Sequence, residues 1–318
     1  MEPFVAELSR LYRIASTTPV EQFADCALEQ LREWIDFDGA VFGFGETGAD
    51  RLTIGSCAIY NRDAAIVGEY AAVSAADPTT RRFLQAPGVV ANVDTQADYS
   101  AHDAQVKRFV RRHDIRHLLL LGEPAAVPSH LRWIVLYRGT RTGFGPHESA
   151  RLSAAWSHLL CALDLNRTRA LDLHALSGAP RAAALAGPNG AIEAANPLFV
   201  EMLRREWRNA TPAFLPPALC EAMRGPGPYV GREIEVYFTR KGDYTLCQAA
   251  RLGAESRLSP REAQVARCFA AGQDYKTIAA LLGISPNTVR AQLASVYRKL
   301  EINDKAMLAA ALSQAPGN

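Results

Sequence analysis

The sequence predicts an α+β chain, with a largely antiparallel sheet in its first part and an all-α four-helix unit at its end. Three observations point there. Strand-sized apolar runs such as "HLLLLG" and "WIVLY" sit between helical patterns and ahead of one long helical pattern that starts at Pro146. Near residue 181 the pattern changes to short strands joined by Gly-containing turns. After residue 257 no strand signal remains, and helices separated by Gly follow one another.

The elements read in order as follows. Residues 3–17 and 19–35 are helical: "VEQFADCALEQLREWI" repeats apolar residues at Phe23, Ala27, Leu28, Leu31 and Ile35. "GAVFGFG" and "RLTIGSCAIY" read as two strands, and "RDAAIVGEYAAVSA" as a helix. Beyond Pro87 come a short strand "GVVANV", a helix around "AQVKRFVRRH", and two strong strands, "IRHLLLLG" and "LRWIVLYR". The long helix runs from Pro146 through Trp156, Leu159, Leu160 and Leu163 towards Leu173. A strand, a "GPNG" turn, a second strand and a helix opening at Asn196 and Pro197 fill residues 181–207. The Pro-rich "TPAFLPPAL" and "RGPGPYVG" follow. "GREIEVYFTRKGDYTLCQAARL" then reads as a hairpin, with Ile234, Val236 and Phe238 alternating on one arm and a "KGD" turn.

The C-terminal helices have explicit start and stop signals. Ser259, Pro260 and Glu262 form a capping box pattern, and Gly272 ends that helix. Asp274 caps the next one, which carries Ile278, Ala279, Leu281 and Leu282 and stops at Gly283 in a left-handed conformation. Ser285 and Pro286 open the third, where Val289, Leu293, Val296, Tyr297 and Leu300 fall on one apolar stripe. Its opposite stripe holds Asn287, Arg290, Ala291, Ala294 and Arg298, with no carboxylate between Tyr275 and Lys299. Such a face suits a polyanion. The turn Gly283-Ile284-Ser285 joins the two helices as in a helix-turn-helix.

Residues 257–312 resemble the LuxR-type four-helix DNA-binding domain. "LSPRE", "AAGQDYKTIAALLGIS", "NTVRAQL" and "YRKLEI" carry the resemblance in the family's order and spacing. It implies that the helix from Pro286 enters the major groove of an operator in double-stranded DNA. The helix after Asn303 then makes a dimer contact. Lys276, Thr288, Arg290 and Lys299 become the DNA-facing positions, beside Asn287, Ala291, Ala294 and Arg298 of the outward stripe. Of these, Arg290 alone has the bidentate fork suited to a guanine edge. Ala291 and Ala294 stand where relatives carry larger side chains, and Gln292 where a His is common. Specificity then leans on thymine methyl contacts and DNA shape. The plain alternative is a compact bundle whose basic face is merely solvated.

The order of elements in residues 1–175 resembles a GAF-type or autoinducer-type ligand-binding domain, and residues 181–207 resemble the start of a PAS domain. Autoinducer receptors hold the ligand amide with an Asp-Pro that follows a Trp and a Tyr one helical turn apart. Tyr70, Asp77 and Pro78 echo that pattern, with Ile66 in the Trp slot and a short Tyr-to-Asp spacing. The resemblance places Phe42, Phe44, Tyr60, Tyr70, Asp77, Trp133 and Tyr137 near a pocket on the concave side of the sheet. For any one of these aromatics, plain core is the competing reading.

Composition sets the outer limits. A net charge of +2 is too small to predict nucleic-acid binding, so that inference rests on local charge. "MEPFVAELSR" lacks the apolar core of a signal peptide, and no apolar run reaches membrane-spanning length, so the expectation is a cytoplasmic protein with no membrane partner. The cysteines lack C-x-x-C pairing, which suggests reduced thiols. "GFGETG" (Gly43, Gly45, Gly48) satisfies a dinucleotide pattern, but a strand follows where a helix is needed. His158 and Cys161 lie one turn apart among packing residues, and His102, His113 and His117 fall on different elements. No enzyme, metal or cofactor is expected. A receiver domain is disfavoured because the chain opens with helices and lacks the acidic pair.

The expectation is therefore an α+β sensor region with antiparallel sheet at 1–175, a PAS-like or linker region at 176–254, and an all-α four-helix helix-turn-helix DNA-binding domain at 255–318. Its function is that of a ligand-responsive transcription regulator acting as a homodimer on an operator, with a small-molecule effector and RNA polymerase as further partners. The alternative is control through protein partners of the N-terminal region, without a small ligand.

Overall fold

In a computed structural model, two five-stranded antiparallel sheets share one strand order and are followed by a helical unit. The structure describes residues 2–47, 52–99, 104–124, 130–139, 142–175, 182–211, 213–252 and 257–313.

Helices α1 (Glu2–Thr17) and α2 (Val20–Arg32) precede strands β1 (Gly39–Thr47) and β2 (Leu52–Tyr60). Then come α3 (Ala65–Val73), a 3₁₀ turn (Ser74–Ala76), α4 (Pro78–Gln85), β3 (Ala91–Asp94), α5 (Thr95–Asp98), α6 (Ala104–Arg112), β4 (His117–Pro124) and β5 (His130–Arg138). The first sheet has the order β2-β1-β5-β4-β3. Both its faces are covered, which is why "HLLLL" is apolar without interruption. Phe42, Leu119, Leu121, Ile134 and Leu136 face α1, α2 and the long α7 (Pro146–Ala175). Val41, Leu118, Leu120, Trp133 and Tyr137 face α3, α4 and α6.

The sequence shows no helix over residues 78–85, where the structure has α4. Its start is an Asp77 N-cap that accepts the Thr79 N–H at 2.9 Å, with Pro78 at the first helical position.

The second sheet uses β6 (Ala182–Ala186), β7 (Ile192–Ala195), β8 (Tyr229–Val230), β9 (Ile234–Lys241) and β10 (Tyr244–Arg251), in the order β7-β6-β10-β9-β8. Helices α8 (Pro197–Glu206) and α9 (Pro217–Ala222) cover one face: Phe199, Met202, Leu203 and Leu219 pack on Ala182, Ala184, Ala186, Val236 and Cys247. Helix α7 reaches this sheet too, through Leu171 against Ala183, Leu185 and Leu246. A buried ion pair joins Arg167 of α7 to Glu193 of β7, and Ser56 of β2 donates to the same carboxylate. The Arg167 guanidinium lies 4.6 Å from the Phe44 ring, and burial pushes its pKa down to about 10.

The helical unit contains α10 (Pro260–Ala270), α11 (Tyr275–Leu282), α12 (Pro286–Leu300) and α13 (Lys305–Ser313), packed around Val265, Ile278, Val289, Leu293, Val296 and Leu308.

Candidate nucleic-acid interface and ligand cavity

The local signals between residues 259 and 288 take their expected conformations. Ser259 and Glu262 close a capping box, Asp274 accepts from Thr277 N–H at 2.8 Å, and Ser285 accepts from Thr288 N–H at 3.1 Å. Gly283 ends α11 at φ 66°, where a side chain would be strained. These features fix the α11–α12 crossing, and Asn287, Thr288, Arg290, Ala291, Ala294, Arg298, Lys299 and the α11 residue Lys276 are all exposed.

Several of them are already engaged. Arg290 Nη1 donates to Asn287 Oδ1 at 3.2 Å, and its guanidinium sits 5.5 Å from the Tyr275 ring centroid. That ring stacks on Phe269 at 5.5 Å, which braces the arginine from the first turn of α11. No sequence spacing connects residues 275 and 290, so Tyr275 was not legible as part of this face. Lys299 points back into its own domain, donating to Glu262 at 2.6 Å, while Ser295 donates to the other carboxylate oxygen at 2.8 Å. The Lys299 contact, followed by the Ser259 N–H, holds the Glu262 carboxyl down at about 2. Lys299 thus ties α12 to α10.

Against the first sheet lies a cavity of about 60 Å³, walled by Tyr70, Asp77, Trp133 and Tyr137 among others. Phe42, Phe44 and Tyr60 are not there. They pack on the opposite face, towards α1, α2 and α7. The two-residue period of a strand explains the correction: Val41 faces the cavity, so Phe42 and Phe44 face away, and Phe42 pairs with Ile134 of that same outer core.

At the cavity's polar end, Asp77 is buried and accepts from Tyr70 Oη at 2.8 Å, Tyr99 Oη at 2.7 Å and Thr80 Oγ1 at 3.2 Å, besides its capping bond. Burial, and after it the Asp77 charge, raises both phenol pKa values, so both hydroxyls stay protonated donors. The Trp133 ring forms another part of the wall. Its cross-strand neighbours are Gly43 on β1 and Gly122 on β4, and a Cβ on them would meet Trp133 atoms at 3.1 Å and 2.8 Å. Gly43 of the "GFGETG" motif therefore makes room for an indole, and Gly45 continues the β1–β2 hairpin. Gly48 and His102 lie outside the described residues.

The other histidines are absorbed by packing. His113 meets Glu69 at 2.9 Å, and His158 meets Tyr12 at 3.1 Å. Among the described residues no group of His, Cys, Asp or Glu could hold a metal, and no helix is long and apolar enough to cross a membrane.

Residues 256–312 match the family described as bacterial regulatory proteins, luxR family. The protein thus carries a C-terminal luxR-family helix-turn-helix domain of the kind found in transcription regulators. No curated protein matches the chain. Among solved structures, the chain is similar to CepR2 of Burkholderia cenocepacia, described as an N-acylhomoserine lactone dependent LuxR family transcription factor, with 17% identity and a TM-score of 0.39 over 50% of this chain and 92% of that one. Escherichia coli SdiA is 16% identical, with a TM-score of 0.35 over 98% and 96%. A phycoerythrobilin-bound GAF domain from a cyanobacterial phytochrome is 12% identical, with a TM-score of 0.36 over 52% and 96%. At such identities and TM-scores these likenesses carry no functional weight.

Proposed function

We propose that the protein is a ligand-responsive transcription regulator that binds operator DNA through α11 and α12 and a small molecule in the cavity of the first sheet. The observation that carries the reading is the exposed, carboxylate-free face of α12, braced by Tyr275 at Arg290 and set at a fixed angle by Gly283. One reading helix meets few base pairs, so useful affinity calls for a homodimer spanning two half-sites. The ligand acts only if it binds the DNA-competent arrangement with a different affinity from the other. The regions 1–175, 176–254 and 255–318 are proposed as sensor, PAS-like module and reader.

The test is selection of full-length protein on random double-stranded DNA, followed by titration of the enriched site. Affinity is expected to fall steeply with salt. Arg290→Ala is expected to cost about 1–3 kcal/mol on that site and less on random DNA. No enrichment would favour a reader that binds a protein partner instead.

A further inference from the structure

We infer that Tyr275 is the positioning residue that aims Arg290, so that each reading helix recognises one guanine through the Nε and Nη2 edge of that arginine; this rests on the DNA-binding reading above. The outward face of α12 makes the aim matter. Ala291 and Ala294 are exposed beside Arg290 and have no group to hydrogen-bond a base edge. Lys299 is turned back to Glu262. Hydrogen-bonded base readout therefore falls largely on one guanidinium.

An arginine on a helix surface is a long, freely rotating chain, and contact with a base has to freeze it. Here two neighbours restrict it beforehand. Asn287 Oδ1, one turn away on α12, accepts from Nη1 at 3.2 Å. The guanidinium carbon lies over the Tyr275 ring, 5.5 Å from its centroid. That ring is itself held in place: it stacks on Phe269 with 15° between the planes, and Lys305 Nζ lies 4.7 Å from the Phe269 centroid. All four helices of the unit thus contribute a side chain to one stack. A guanidinium carries five N–H groups in a rigid fork. Asn287 takes one of them, and an attraction to the face of a ring consumes none. Nε and Nη2 bond no other group among the described residues, so an edge that matches guanine O6 and N7 is left free.

The test uses full-length protein and the site it enriches from random double-stranded DNA. Each guanine of that site is replaced in turn by 7-deazaguanine, which removes the N7 acceptor and leaves pairing and phosphates intact. One replacement per half-site is expected to weaken wild-type binding about tenfold and to leave Arg290→Ala binding unchanged, which identifies the guanine read. Tyr275→Leu keeps an apolar side chain on Phe269. It should shrink that penalty about three- to fivefold, the worth of one exposed cation–π contact, with affinity for random DNA unchanged. Tyr275→Phe keeps the ring and should restore the wild-type penalty. A full penalty in Tyr275→Leu would overturn the inference. So would an equal loss on every DNA in Tyr275→Phe, which makes the hydroxyl a phosphate contact, or in Tyr275→Leu alone, which makes the role structural. Enrichment by the wild type leaves the DNA-binding reading standing in each of these cases. Failure of the wild type to enrich any site would overturn both.

Discussion

The two sheets have the same strand order and the same antiparallel pairing, yet the face of the first under α3, α4 and α6 borders an apolar cavity, whereas the face of the second under α8 and α9 is paved with small side chains. In the first, the central strand β5 offers Trp133, Val135 and Tyr137 to one face, with glycines flanking the indole. In the second, the equivalent strand β10 and its neighbour β6 offer Cys247, Ala249, Ala182, Ala184 and Ala186, and α8 and α9 fill the space above them with Phe199, Met202 and Leu219. Topology is therefore silent on ligand binding. The sizes of the side chains on one face of two or three strands decide whether room is left.

The largest expected effect breaks the joint between the sheets. Glu193→Ala strands the buried Arg167 charge and should destabilise by about 3–5 kcal/mol, read as the urea midpoint of full-length protein. Replacing both partners, Arg167→Met with Glu193→Leu, should recover much of that loss. If the single variant unfolds like the wild type, the two sheets are not coupled through this pair.

A matched pair of substitutions sharpens the contrast in packing. Ala184→Leu, on the paved face at 0% exposure, should cost about 1–3 kcal/mol through overpacking. Val135→Leu adds one methylene beside the cavity and should be neutral or stabilising by about 1 kcal/mol. Thermal unfolding of the two variants compares them directly; equal losses would mean that the cavity is no roomier than the paved face.

The smallest effect belongs to the helical unit, which neither sheet controls. Lys299→Ala should lower its stability by no more than about 1 kcal/mol at neutral pH, since Lys299 is half-exposed. The sign with pH follows from the lowered Glu262 pKa. The stabilisation is complete above the ordinary carboxylate value of about 4.3 and fades as pH falls from there towards 2. Acid titration followed by circular dichroism should show the wild-type unit losing stability over that window and Lys299→Ala losing less.

Legibility in the sequence tracked the distance over which each feature is encoded. Caps at Ser259, Asp274 and Ser285 and the stop at Gly283 lie within three or four residues of what they control, so the helical unit was readable down to its caps and inward stripe, while Lys299, expected to face DNA, turns back to Glu262. The long helix α7 and the strands β4 and β5 were readable from apolar period and length. Helix α4 was missed because its Asp-Pro start was read as an echo of a ligand motif rather than as a cap. The placement of Phe42, Phe44 and Tyr60 failed because an aromatic residue in a strand faces either side with equal ease.

By itself, then, the sequence determined the local geometry of the helix-turn-helix and its carboxylate-free face, because helix starts and stops are set by hydrogen bonds between near neighbours. Tertiary structure alone decided the cavity, the hydroxyls that converge on Asp77, the bracing of Arg290 by Tyr275 and the Arg167–Glu193 joint. Each of these depends on strand register and helix packing that bring distant residues together. A shift of one residue in register would turn every strand side chain to the other face.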